Sequence, residues 1–173
     1  MISLKPGLYQ VRVVARDTRS GRLGGVYDWI EIPDLTNQKL ALSSLLAGAH
    51  INSQPAAAPA TANTSVSVPM SFDRRFDRDS LLRYLIFVYN STVAPGQSAD
   101  LAVQTQILRD DQPVITTPLR KITIDATKDV KSLPYAAELS LAGLPSGSYI
   151  LLVNVIDRSA GNSASQRMRF EIK

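Results

Sequence analysis

The chain has 173 residues, 45% of them hydrophobic and 20% charged, a balance that belongs to folded globular proteins and excludes an intrinsically disordered one. Lys and Arg total 19 against 15 Asp and Glu, and the net charge of +4 is too small and too dispersed to imply nucleic acid. The absence of cysteine excludes disulfides, thiol catalysis and zinc–thiolate sites. No apolar run approaches the ~20 residues of a membrane-spanning helix.

Taken in chain order, Met1 to Pro6 lead straight into a strand, without the charged and apolar regions of a signal peptide. Tyr9, Val11, Val13 and Ala15 then alternate with Gln10, Arg12 and Arg16, and only Val14 breaks the pattern. A period of two predicts a strand with one buried face. Asp17-Thr18-Arg19-Ser20-Gly21 is turn chemistry, and a return strand over 26–32 ends at Pro33, which cannot donate to a ladder. Residues 1–33 therefore read as a β-hairpin. Over 39–46, Leu40, Leu42, Ser44 and Leu46 alternate and predict the first strand of a second domain, with a short helix as the alternative.

Residues 47–69 are rich in Ala, Pro, Thr and Ser and nearly free of charge. They predict a flexible insertion, because little there offsets the entropy of ordering. Residues 72–76 form a short strand or turn, and 81–89 is apolar on both faces, as a central strand requires. A Pro/Gly/Ser loop over 90–98 precedes the strand carrying Leu101, Val103, Thr105 and Ile107. Residues 109–113 turn the chain into 114–116, and further strands are predicted at 119–124 and 137–141. A closing hairpin runs over 148–157 and 164–172. Short strands separated by turns, with no long helical period, predict an all-β chain. Its second domain, 39–173, is an antiparallel sandwich of immunoglobulin-like or fibronectin-like type.

The two ends of the chain repeat each other. Gly7-Leu8-Tyr9 corresponds to Gly147-Ser148-Tyr149, Asp17 to Asp157, Gly21 to Gly161, and Glu31-Ile32 to Glu171-Ile172, at one constant offset without a gap. A unit that closes the second domain also stands at residues 1–33. The simplest reading is the closing hairpin of a preceding β domain, most of it missing from this chain, so that Met1 need be no more than an added start codon. Such a hairpin carries Tyr9, Val11, Val13, Trp29 and Ile30, and it is expected to bury them on the second domain or on another copy of the chain.

Candidate chemistry is sparse. The sole histidine, His50, lies in the predicted insertion with no evident orienting partner for a catalytic triad. Asp73, Asp77, Asp79, Asp110, Asp111, Asp125 and Asp129 offer oxygens for calcium, but Arg74, Arg75 and Arg78 interleave with the first three and favour a solvated edge with local salt bridges. Arg74, Arg75, Arg78 and Arg83 form the densest basic cluster, suited to an acidic partner or to a charged sheet edge. No aromatic stacking pattern accompanies that cluster. Tyr9 and Tyr149 are expected to satisfy a backbone group with their hydroxyls, and Asp17 and Asp157 to stabilise turns or, as the lesser reading, to bind metal. Asn63 and Asn90 begin sequons that matter only in a eukaryotic secretory system, and Tyr27 with Trp29 is either a covered pair or a sugar-binding one. No residue is assigned to catalysis, a cofactor or a metal.

Several runs together have a family likeness. Residues 7–17 (Gly7-Leu8-Tyr9 to Ala15-Arg16-Asp17), Ser20-Gly21-Arg22, Glu31-Ile32-Pro33-Asp34-Leu35 and Leu40-Ala41-Leu42-Ser43-Ser44-Leu45 resemble the region following the von Willebrand factor A domain in bacterial VWFA-related exported proteins. Arg74-Arg75-Phe76, Val88-Tyr89-Asn90 and Gly147-Ser148-Tyr149 extend the likeness over most of the chain. The resemblance implies a multidomain parent located in the cell envelope or outside the cell. The Asp-x-Ser-x-Ser metal motif of the A domain is absent, so metal-dependent adhesion is not carried over. The expected function is a non-catalytic structural or spacer module, with a polysaccharide- or protein-binding adhesion module as the alternative. The expected partners are other domains of the parent chain, a second copy through the hairpin, or a glycan or protein ligand, without nucleic acid, membrane insertion or cofactor.

Overall fold

Alternating apolar and polar residues become strands only where a neighbour completes their hydrogen bonds, and the pairing shows where that happens. The computed structural model describes residues 4–51, 71, 73–93, 99–122 and 132–173. These fall into two compact units, Met1–Gln38 and Lys39–Lys173. Every described element is a strand, and every pairing but one is antiparallel.

The first unit is one long hairpin of β1 (Gly7–Arg16) and β2 (Leu23–Ile32), in register from Gly7 opposite Ile32 to Arg16 opposite Leu23. Its turn is closed by the Asp17 N–H donating to the Arg22 carbonyl at 2.9 Å and the Gly21 N–H to the Asp17 carbonyl at 2.8 Å. Gly21 has φ 69°, a left-handed conformation that glycine adopts without a Cβ clash.

The second unit is a two-sheet antiparallel sandwich. One sheet centres on β6 (Ser80–Tyr89), with β10 (Ser132–Ser140) on one edge and β3 (Ala41–Leu42) and β4 (Leu46–Ile51) on the other. The other sheet runs β5 (Arg75–Phe76), β12 (Asn162–Ile172), β11 (Gly147–Asp157) and β7 (Leu101–Arg109), with β8 (Gln112–Thr116) and β9 (Arg120–Ile122) both on the outer edge of β7. The pairing of β5 with β12 is parallel. Alternate residues of β6, from Leu82 to Val88, are fully buried, as are Leu151, Val153 and Val155 of β11. Between the sheets the Tyr84 and Thr105 hydroxyls share a hydrogen bond, and burial raises the Tyr84 hydroxyl far above its ordinary pKa, so that it stays protonated.

The strand expected over 39–46 is broken in two. Leu42 lies opposite Val88 and Leu46 opposite Leu85, so four steps on one strand match three on its partner. Ser43 still pairs with Phe87, its hydroxyl accepting the Phe87 N–H at 2.9 Å and its N–H donating to the Phe87 carbonyl at 2.9 Å, so the one extra residue is accommodated between Ser43 and Leu46. A one-residue shift turns each following side chain to the opposite face. Leu45 and Ala47 enter the core in place of the expected Ser44 and Leu46.

The first five residues of the expected insertion are a strand. Residues 47–51 belong to β4, paired with β6 as far as Ile51 opposite Ser80, because a complete ladder overrides weak local propensity. Residues 52–69 of that predicted insertion lie outside the described residues. His50 is therefore a strand residue, opposite Leu81.

Two substitutions measure what holds the sandwich. Leu151→Ala removes a fully buried side chain and is expected to cost about 2–5 kcal/mol in urea unfolding. Tyr149→Phe deletes the hydroxyl that donates to the Pro145 carbonyl at 2.6 Å and accepts from Arg109 at 3.4 Å, and is expected to cost about 1–2 kcal/mol. A loss below about 1 kcal/mol for the first would place Leu151 outside the working core.

Candidate functional site: the first hairpin and its counterpart

The repeat seen in sequence holds in strand register, in the tyrosine bond and in the leading glycine's conformation. In the second unit Gly147 lies opposite Ile172 and Asp157 opposite Asn162, the register of Gly7 with Ile32 and of Asp17 with Arg22. The Tyr149 hydroxyl donates to the Pro145 carbonyl at 2.6 Å, and the Tyr9 hydroxyl donates to the Lys5 carbonyl at 2.9 Å, each four residues upstream. Both tyrosines serve the backbone as expected. Gly7 and Gly147 share φ values of 149° and 145°, which a side chain at either position would strain.

Surroundings separate the copies. Leu151 and Val153 are fully buried, while their counterparts Val11 and Val13 are 42% and 57% exposed. Val26 and Tyr27 on β2 are exposed as well. The hairpin is regular but does not by itself cover Val11 and Val13. Strand β11 has a partner on each edge, β12 and β7, whereas β1 pairs only with β2 among the described residues.

The turn aspartates diverge for the same reason. Asp157 is fully buried; its Oδ1 accepts the Ser159 and Ala160 N–H groups at 3.0 and 3.1 Å, and its Oδ2 accepts the Thr92 N–H at 2.7 Å. Thr92 belongs to the chain just beyond β6, so Asp157 ties the hairpin turn to another part of the sandwich. Asp17 is exposed, and its Oδ1 accepts the Arg19 N–H at 2.9 Å. The Ser20 hydroxyl takes its Oδ2, where the second copy has Ala160. Both aspartates brace turns, and the hydrogen bonds named here are all backbone or hydroxyl donors.

Other sequence candidates are not brought together. Asp73 accepts from the Ser71 hydroxyl and the Arg75 N–H, Asp77 lies 3.6 Å from the Lys173 ammonium, and Asp110 and Asp111 form the β7–β8 turn with φ of 50° and 61°. Asp125 and Asp129 lie outside the described residues. Among the described residues no three His, Asp or Glu side chains converge on a point that would hold a metal ion. The arginines disperse too: Arg75 pairs with Glu171 at 3.0 Å, Arg83 with Glu138 at 3.6 Å, and Arg78 donates to the Leu144 carbonyl at 3.2 Å. Asn90 takes a left-handed φ of 56° and its amide donates to the Lys39 carbonyl at 3.1 Å, while Asn63 lies outside the described residues.

One open depression of about 660 Å³ runs along the first hairpin, lined by Gln10, Arg12, Val14, Gly25 and Tyr27 with Val13 and Val26. Arg12 Nε donates to Gln10 Oε1 at 2.6 Å, giving this surface a polar row beside exposed apolar residues. Leu8, Val14 and Leu23 are 67%, 71% and 71% exposed, and neither Leu8 nor Leu23 stands out in the sequence. Val14, noted as a break in the alternation, was the one signal of an apolar outer row. No family model matches the chain, and no curated protein gives a significant match.

The Asp17 turn carries a pH test. The Ser20 hydroxyl, and then the Arg19 N–H, hold the Asp17 carboxyl below its ordinary value of 3.8. Its contribution to the hairpin is accordingly present above that value and is lost as pH falls through the lowered folded pKa. NMR titration of the Arg19 amide is expected to show a midpoint below 3.8, raised by Ser20→Ala. A midpoint at or above 3.8 in the unaltered chain rules this out.

Proposed function

We propose that the chain is a non-catalytic structural module from a tandem array of β domains in an exported bacterial envelope protein. The observation that carries this reading is the hairpin repeat: one copy is built into the sandwich, and an equivalent copy in the same register stands ahead of it. Repeated closing elements in one polypeptide are what consecutive related domains leave behind. The use of the polar residues supports the same reading. Asp157, Asp17, Tyr149 and Tyr9 all bond nearby backbone, and Arg75 and Arg83 bridge neighbouring strands. The immunoglobulin-like assignment belongs to this proposal, supported by a tyrosine that ties a strand start to the upstream connection in each copy. Envelope or extracellular location and the VWFA-related parentage rest on the sequence resemblance alone.

A second reading, a polysaccharide- or protein-binding module, is favoured by one feature. The depression on the first hairpin sets Tyr27 beside Gln10 and Arg12, an aromatic surface with hydrogen-bonding groups at its side. A glycan array and a pull-down from envelope extract, both with the full 173-residue chain, separate the two readings. The structural module is expected to give no saturable binding at micromolar concentration. Saturable binding abolished by Tyr27→Ala or Arg12→Ala would establish the second reading and discard the first.

A further inference from the structure

We propose that the β1–β2 hairpin is an interface whose occupant is a β-sandwich of the second unit's own kind, preceding it in the same polypeptide and completed by it. This rests on the tandem-module reading and adds the partner's geometry. What covers such a hairpin is visible in this molecule, because β11–β12 repeats it with the same register, the same tyrosine bond and the same glycine conformations.

The counterpart gives the contacts by position. Strand β7 runs antiparallel to β11 from Leu108 opposite Ile150 to Leu101 opposite Asp157. By equivalence, the partner lays an antiparallel edge strand along residues 10–17 of β1. Strand β5 runs parallel beside Glu171 and Ile172, which places a short parallel strand beside residues 31 and 32. The inner row Tyr149, Leu151 and Val153 is 2%, 0% and 0% exposed, so the partner's apolar sheet covers Tyr9, Val11 and Val13.

The equivalence also marks where the first interface differs. The Lys173 N–H donates to the Phe76 carbonyl at 3.0 Å, and its positional counterpart is Pro33, which has no N–H. The parallel attachment is one hydrogen bond weaker there, and the antiparallel edge of β1 carries the association. A second copy of this chain has no matching opening, since its own β11 and β12 fill the slot with both edges of β11 paired. That favours a preceding domain in the same polypeptide over self-association.

The experiment fuses a second copy of residues 39–143 directly ahead of residue 4 of the full chain, which preserves the repeat's offset. Hydrogen exchange is then compared with that of the 173-residue chain. The β1 amides that do not pair with β2 are expected to exchange about 100-fold more slowly in the fusion. Val13→Asp is expected to abolish that protection while leaving the β11–β12 amides unchanged. Because Val11, Ala15 and Ile30 are smaller than Leu151, Val155 and Phe170, a fusion carrying V11L, A15V and I30F is measured alongside. Unprotected β1 amides in both fusions overturn the proposal. So does a dimeric 173-residue chain that Val13→Asp returns to monomer, since the occupant would then be a second copy. Neither outcome alters the ligand-binding assays, so failure here is distinguishable from failure of the structural-module reading.

Discussion

The second unit depends on β11 being occupied on both edges and on its inner face. Strands β12 and β7 complete its hydrogen bonds over nearly its whole length, and the opposite sheet covers Tyr149, Leu151, Val153 and Val155. Full burial of one aliphatic side chain contributes about 1.5–3 kcal/mol, so this single row supplies a substantial part of the favourable side of folding. The cross-sheet Tyr84–Thr105 bond and the Asp157–Thr92 bond then satisfy polar groups that such burial would otherwise leave costly. Strand β1 has the same residue pattern and half of those partners. A two-stranded ribbon by itself is marginal in water, and the proposed preceding domain would supply the partners that β1 lacks here.

Local compensation explains how the first hairpin keeps its shape with fewer partners. Asp157 reaches across the sandwich to Thr92, whereas Asp17 is satisfied inside its own turn by Ser20. The serine replaces an alanine at the one position where long-range support ends. The Tyr9 bond to Lys5 is likewise local and survives without a surrounding core, though Tyr149 adds stacking on Phe170 at 5.7 Å and an Arg109 guanidinium at 5.6 Å from its ring centre.

Much of the architecture was legible because the closing hairpin alternates with a period of two around Gly and Asp turn signals, and because the central strand is apolar on both faces. The closing hairpin and the central strand at 81–89 came within two residues of their observed bounds on that basis. The region from 39 to 51 was not legible. A single inserted residue between Ser43 and Leu46 inverts the faces that follow, and nothing in the Leu/Ser alternation announces it. The strand carrying Ala47, Gly48 and Ala49 has weak propensity of its own and exists because β6 offers a ladder. The candidate site was legible as a repeat but not as a surface. Periodicity shows which residues share a face, while exposure depends on what stands opposite, as Val13 at 57% and Val153 at 0% demonstrate.

Two near-equivalent hairpins in one chain have a consequence for the order of events during synthesis. The first leaves the ribosome before any strand of the sandwich, and the hairpin that belongs to the sandwich emerges last. Until then, the growing core meets an earlier hairpin of the same pattern, a situation that invites misassembly between related elements. Discrimination rests on bulk. Val11 in place of Leu151, Ala15 in place of Val155 and Ile30 in place of Phe170 would each underfill the core, and voids of that kind are costly. The inner rows of the two hairpins therefore differ where the core is filled, and the early hairpin is a poor substitute for the late one.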